Sequence, residues 1–275
     1  MNPTNIDHLV LFNKTKFAKD ELIQLTDKII HGDFLEFVKK LPNDTFDLIV
    51  ADPPYNLGKN FGTTKIWTDF KKWFDWCKTW LIECKRVLKP TGSIFLYGIH
   101  HYICFLQVYL YEIEMKYRRQ IIWYYENSFS TYSRAPRAMY ESILWFSKSD
   151  NYTYHKIREP YQSKERLKNK IIKNGKVWKP NPEGRHGGDV WKIPTLAGKR
   201  FEKERVDHPT QKPLKLCNKI IKHFSEINDL VLIPFAGSGS ECIACKIQNR
   251  KFIATELNSN YIKLANKRMK SLLLF

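Results

Sequence analysis

The stretch from Asp229 to Glu256 constrains the fold of this chain more than any other. Asp229-Leu230-Val231-Leu232-Ile233-Pro234-Phe235 is a short apolar run, the pattern of a strand buried on both faces. Ala236-Gly237-Ser238-Gly239-Ser240 follows as a turn, then a helix from Glu241 to Gln248, then a second apolar strand from Lys251 to Glu256. Strand, tight turn, helix and strand in that order make a βαβ unit, which demands a parallel sheet with helices packed on it. Glycines in the turn let a ligand approach the backbone closely, and an acid at the end of the second strand can bond both hydroxyls of a ribose. The spacing is Gly-Ser-Gly, without the third glycine of the dinucleotide fingerprint. No Walker lysine follows, which disfavours a nucleotide triphosphatase.

A second buried strand is expected at Phe46-Asp47-Leu48-Ile49-Val50-Ala51, and it runs into Asp52-Pro53-Pro54-Tyr55. The prolines cannot continue a central strand, and they stiffen the backbone where an open α/β sheet binds its ligands. The Asp52 carboxylate and the Pro53 carbonyl are both acceptors only. Two fixed acceptors suit an amino group with two hydrogens, and Tyr55 offers a ring to lie against a flat partner. An exocyclic amine on an aromatic base meets all three conditions.

The other elements are arranged around these two. Ile29 to His31 reads as a strand, followed by a helix from Phe34 to Leu41; Asp33 can cap that helix, face a ligand, or do both. Asn56 to Ile66 is a polar loop of the kind that closes over substrate. Trp67 to Leu88 has helical spacing with a core-facing aromatic stripe, Lys89 to Gly92 is a stop and turn, and Ser93 to Gly98 is a strand. His100 and His101 open a helix to Glu114. Strands are expected at Arg119 to Tyr125 and Ser142 to Ser147, joined by a polar loop from Glu126 to Tyr140. His208-Pro209-Thr210-Gln211-Lys212-Pro213 leads into a helix from Leu214 to Phe224. Its Thr, Gln and Lys can cap the helix or bind an anion such as a carboxylate. A last helix spans Tyr261 to Leu272.

Charge points to the partner. The 275 residues carry a formal +18, and the span from Lys156 to Arg205 holds 15 Lys or Arg against 6 Asp or Glu. Half of the excess, +9, therefore sits in under a fifth of the chain. A localised basic lobe is better explained by phosphate contacts than by general solubility. Residues 149–207 are also rich in Gly, Pro and Trp and lack a periodic apolar pattern. The expected organisation is a catalytic part at 1–148, a recognition lobe at 149–207, and a second part of the same domain at 208–275. Residues 1–20 do not read as a signal peptide, and no apolar run approaches membrane-spanning length, so a cytoplasmic protein with reduced thiols is expected. Cys242 and Cys245, the one close cysteine pair, read as small residues on one helix, and no metal site is expected.

Asp52-Pro53-Pro54-Tyr55, His208-Pro209-Thr210-Gln211-Lys212-Pro213 and Phe235-Ala236-Gly237-Ser238-Gly239 together resemble the S-adenosylmethionine-dependent DNA amino-methyltransferases. Catalytic tetrapeptide first, basic lobe next and cofactor loop last is the order of the permuted β class. The resemblance covers roughly residues 28–270 and implies a doubly wound, mostly parallel seven-stranded α/β sheet with an inserted recognition lobe. It implies that Gly237 and Gly239 line the methionine part of the cofactor and that Glu256 holds the ribose. Asp33 would lie near the adenine, and Thr210 and Lys212 near the carboxylate. Phe235, Ala236, Ser238, Leu257 and Asp52 complete the implied cofactor set, and Asp52 to Tyr55 the catalytic set. Asp in the first position is the adenine-N6 form, whereas cytosine-N4 members more often begin with Ser. The stretch from Arg158 to Trp191 is similar to the recognition region of MboII-type enzymes.

The implied function is methyl transfer to adenine N6 in a short sequence of duplex DNA, with the base flipped out. A restriction endonuclease acting on the same site and a homodimer are the further partners it implies. A cytosine-N4 enzyme and a non-catalytic DNA-binding relative are the alternatives. One departure stands out: the family usually has Asp-Pro-Phe before the glycines, with that aspartate near the cofactor's amino group. Here the position is Ile233. Ile233 accepts no hydrogen bond, so either cofactor affinity falls or another group, such as Asp52, takes the bond.

Overall fold

In strand β2 (Phe46–Ala51), Leu48 and Val50 point to one face of a sheet while Ile49 and Ala51 point to the other, and all four are buried. The same alternation recurs in β11 (Leu230–Ile233) and β12 (Lys251–Glu256), so these are central strands covered on both sides. The computed structural model describes residues 14–55, 69–128 and 134–272. Among them, five more strands complete the main sheet: β1 (Lys28–His31), β3 (Leu88–Gly98), β4 (Lys116–Tyr124), β5 (Tyr140–Ser147) and β10 (Val190–Lys192). The eight lie in the order β1-β12-β11-β2-β3-β5-β4-β10. Pairing is parallel except where β5 lies antiparallel between β3 and β4.

Helices α1 (Phe34–Val38), α2 (Phe70–Val87) and α3 (Ile103–Glu112) cover one face. Helices α4 (Leu214–Phe224) and α5 (Ser240–Ile247) pack on the other, where α6 (Ser259–Leu272) also lies against α5. Asp33 and Asp69 cap α1 and α2, each accepting backbone N–H bonds at the helix start. The aromatic stripe of α2 is core, as its spacing suggests: Trp73 and Trp80 are among the largest fully buried side chains.

The boundaries expected from sequence need three corrections. Lys89 to Gly92 is not a free turn. Leu88 pairs with Phe46 and Ser93 with Leu48, so the four residues bulge out of one continuous strand. His100 and His101 precede α3 rather than opening it. The 149–207 span is not wholly separate from the sheet, because its β10 pairs with β4 and adds an eighth strand to the seven expected. The anchor is Trp191, fully buried within β10 against the α4 side of the core. The rest of the span forms two small ribbons, β6 (Arg158–Glu159) with β9 (Arg185–His186) and β7 (Ile171–Lys173) with β8 (Lys176–Trp178). The loop expected to close over a ligand, Asn56 to Ile66, lies outside the described residues, as do 129–133 of the Glu126 to Tyr140 loop. Among the described residues, no helix is long and apolar enough to cross a membrane.

Candidate active site

The sheet changes direction between β11 and β2. From β11 the chain steps to β12 on one side; from β2 it steps to β3 on the other. Such a switch point leaves a crevice beyond the carboxyl ends of the strands. Here it holds a cavity of about 950 Å³ including its mouth. Asp52, Pro53, Pro54 and Tyr55 line it from the end of β2, and Phe235, Ala236, Gly237 and Ser238 from the turn after β11. Asp33 follows β1, Glu256 and Leu257 end β12, and Thr210 and Lys212 precede α4; all five also line it. Residues scattered over more than 220 positions of chain thus meet at one place because their strands are parallel neighbours.

Gly239 is the exception among the residues singled out from sequence. It turns away from the cavity and caps α5 in the left-handed conformation, φ +77°, where a Cβ would come 2.7 Å from the Ala265 Cβ. Gly237 does face the cavity, also with positive φ (+49°), and a Cβ there would lie 2.9 Å from His208 Nε2. The loop is tied from behind by Arg268 of α6, whose buried guanidinium donates to the Ser238 carbonyl at 2.5 Å.

The tetrapeptide is held rigidly. Trp73 Nε1 donates to the Pro54 carbonyl at 2.9 Å. The Tyr55 hydroxyl donates to Asp52 Oδ1 in a short hydrogen bond, and Lys212 Nζ sits 2.9 Å from Asp52 Oδ2. Lys212 also reaches Glu141 Oε2 at 3.3 Å, and its ammonium lies 5.1–5.9 Å from the ring centroids of Tyr55, Tyr97 and Trp123. Burial alone would lower the Lys212 pKa, but the carboxylates of Asp52 and Glu141 outweigh it and hold the group above its ordinary value. The partner that the resemblance implies for Lys212 is a ligand carboxylate; the structure gives it two protein carboxylates.

At the far end of the cavity Asp33 Oδ1 accepts from the amides of Leu35 and Glu36, at 2.9 and 3.3 Å. Capping and cavity lining therefore coexist in this residue. Glu256 accepts from the amides of Gly237 and Asn258, both at 2.8 Å, and its pKa is raised by burial. Phe235 packs edge-on to Phe34 and Trp80 and tilted to Trp76, forming an aromatic wall beside Asp33.

The lining residues outside that candidate set include Trp76, His208, Glu241 and Tyr261. Trp76 lies on α2 beside the core-facing stripe, and nothing in its spacing marks it as a cavity residue. His208 and Tyr261 pack edge-on with 4.5 Å between ring centroids, and burial depresses the His208 pKa to about 4, so its imidazole is neutral. The Thr210 amide donates to its Nδ1 at 3.3 Å. Glu241 left no sequence signal at all, since an acid in the first turn of a helix is ordinary.

A second cavity, about 910 Å³ with its mouth, opens on the other side of the same wall. Tyr55, His208, Thr210 and Lys212 line both; Trp123, Glu141, Thr195 and Arg205 line only the second.

The sequence from residue 46 to 267 matches the family model described as DNA methylase. The chain belongs to this family. It is 36% identical over 245 residues to the DNA adenine methyltransferase YhdJ of Escherichia coli (strain K12), covering 88% of this chain and 82% of that one. It is 33% identical over 252 residues to the Type II methyltransferase M1.MboII of Moraxella bovis, covering 87% and 95%. The fold matches the crystal structure of an M1.HpyAVI complex with S-adenosylmethionine, TM-score 0.59 at 25% identity, over 88% of this chain and 98% of that one. A DNA methylase of this family uses S-adenosylmethionine, and the cavity fits it: Gly237 admits the ligand backbone-close, and acids and aromatic rings line the walls.

Proposed function

We propose that the protein transfers a methyl group from S-adenosylmethionine to the N6 amino group of adenine in a short sequence of duplex DNA. The observation that carries the reading is Asp52, which lines the first cavity with its two oxygens held by Tyr55 and Lys212, both of which also line the second. The aspartate at the head of the tetrapeptide, and the word adenine in the name of the relative YhdJ, favour adenine over cytosine.

The first cavity is read as the cofactor site. Asp33 and the Phe235–Trp76 wall lie toward the adenine end, Glu256 toward the ribose, and Gly237 and Thr210 toward the methionine end. When bound, the cofactor supplies an electrophilic sulfonium methyl. The second cavity, across Tyr55, is read as the site of the target base, with the exposed Arg205 at its edge. A base inside a duplex cannot reach it, so the nucleotide must be flipped out at a cost of a few kcal/mol.

The target amine is a weak nucleophile because its lone pair is delocalised into the ring. Asp52 and the Pro53 carbonyl accept its two hydrogens and localise that lone pair. Tyr55 and Lys212 each occupy one site of the carboxylate, which retains further acceptor sites for the amine. The acceptors sit where positive charge develops on nitrogen, which is where preorganised groups accelerate reaction most. Asp52 takes up a proton from the methylated nitrogen after transfer.

The basic span then grips the duplex. In the β7–β8 ribbon Ile172 and Trp178 are 74% and 59% exposed, between Lys170, Lys173, Lys176 and Lys179. Exposed apolar side chains set among cations suit a nucleic-acid groove better than bulk water. The Type II name of M1.MboII supports a cognate endonuclease as a further partner. Expression in a host lacking DNA methylation, followed by sequencing of modified bases, tests the reading. Methylated adenine in one short motif is expected; unmodified DNA, or methylated cytosine, would count against it.

A further inference from the structure

Glu241 is a carboxylate buried to 5% exposure in the wall of the cofactor cavity, in the first turn of α5. Burying an acid is costly unless something compensates it. The other acids of this cavity are already compensated by the protein. Asp33 caps α1, Glu256 takes two backbone amides, and Asp52 takes the Tyr55 hydroxyl and the Lys212 ammonium. Among the described residues, Glu241 receives only its own amide and the Cys217 thiol, 3.4 Å from Oε1, a weak donor. Its pKa is raised to about 7, chiefly by burial and then by Asp52. The Lys212 ammonium acts on it without a hydrogen bond, so the carboxylate keeps acceptor sites for a cation that is not part of the protein.

Position matters as much as charge. Ile233, at the end of β11, points to the α4 side of the sheet and shares an apolar cluster with Cys217 and Cys242. Cys217 is the residue whose thiol meets Glu241. Ile233 ends β11 and Glu241 stands in the first turn of α5, so the two flank the glycine turn between them in the chain.

We propose that Glu241 binds the α-ammonium group of S-adenosylmethionine, taking the place of the carboxylate that position 233 lacks. The proposal rests on the cofactor reading of the cavity. Calorimetric titration separates the two, using S-adenosylhomocysteine and 5′-methylthioadenosine, which keeps the adenosine and sulfur but has no amino-acid part. A charge-assisted hydrogen bond removed from a buried site corresponds to roughly 10- to 100-fold in affinity. Glu241→Gln keeps shape and the Cys217 contact, so it should weaken S-adenosylhomocysteine by that factor and leave 5′-methylthioadenosine unchanged. Adding Ile233→Asp to Glu241→Gln should recover most of the affinity, whereas Ile233→Asp alone should weaken binding, a reversal of sign that only a shared role produces. Unchanged affinity for S-adenosylhomocysteine in Glu241→Gln would overturn the proposal. So would an equal drop for both ligands, which would make Glu241 a packing residue. Wild-type protein that binds neither ligand would overturn the cofactor reading itself, and the proposal with it.

Discussion

Lys212 Nζ lies 2.9 Å from Asp52 Oδ2, and the lysine side chain is 3% exposed. One buried cation thus stands at the junction of the two cavities, orienting Asp52 in the first and reaching Glu141 in the second.

Removing that cation strands carboxylates. Lys212→Met should cost about 3–5 kcal/mol of stability, the usual penalty for breaking a buried pair from one side. Urea unfolding measures it. Asp52→Asn combined with Lys212→Met should destabilise less than the two single effects added together, because one of the two stranded carboxylates is gone. Additive effects would mean that the pair is not energetically coupled.

Asp52→Ala should reduce methyl transfer by at least ~100-fold, in the range for removing one preorganised group at a developing charge. Binding of S-adenosylhomocysteine should change little, since Asp52 serves the acceptor. A comparable fall in binding and in rate would place Asp52 in cofactor binding instead.

Tyr55 has two roles that substitutions can separate. Tyr55→Phe keeps the ring and removes the hydrogen bond to Asp52, so activity should fall modestly. Tyr55→Ala should also remove stacking on the flipped base, about 1–3 kcal/mol. The readout is kcat/KM on duplex DNA; equal activity of Tyr55→Ala and wild type would eliminate the stacking role.

Ligand binding should depend on pH through Glu241. With its pKa near 7, the carboxylate is largely protonated at pH 6 and largely ionised at pH 8. Affinity for S-adenosylhomocysteine should therefore rise over that interval, while 5′-methylthioadenosine stays flat. The groups facing Glu241 are Asp52, Lys212, Cys217, Tyr97, Cys242, Cys245 and Arg268. The thiols and the phenol are pushed up by burial, away from the interval. His208, depressed to about 4, titrates below it. Glu241→Gln should abolish the slope.

The β7–β8 ribbon should act through charge. Replacing Lys170, Lys173, Lys176 and Lys179 with alanine should weaken DNA binding. It should also flatten the salt dependence, by about 0.9 in the log–log slope for each phosphate no longer neutralised. Fluorescence anisotropy at several salt concentrations gives the slope, and an unchanged value would take the ribbon off the DNA.

Much of this architecture is legible in the chain. The central strands announce themselves because a parallel sheet buried on both faces needs unbroken apolar runs, and β2, β11 and β12 have them. The cavity residues at strand ends follow, because the switch point gathers those ends together. What sequence conceals depends on tertiary context. β10 is three residues long and becomes a strand only because Trp191 has a core to enter. Glu241 and Trp76 sit on helices, where nothing local distinguishes a side chain facing a ligand from one facing solvent or core. Lys212 can be placed near the site by its motif, yet its pairing with Asp52, 160 positions earlier, needs the fold.

The most direct test is transfer of a tritiated methyl group from S-adenosylmethionine to unmethylated duplex DNA by the purified protein, followed by nucleoside analysis. The account predicts label in N6-methyldeoxyadenosine, abolished in Asp52→Ala. Label in N4-methyldeoxycytidine, or DNA left unlabelled by protein that binds the cofactor, would contradict it.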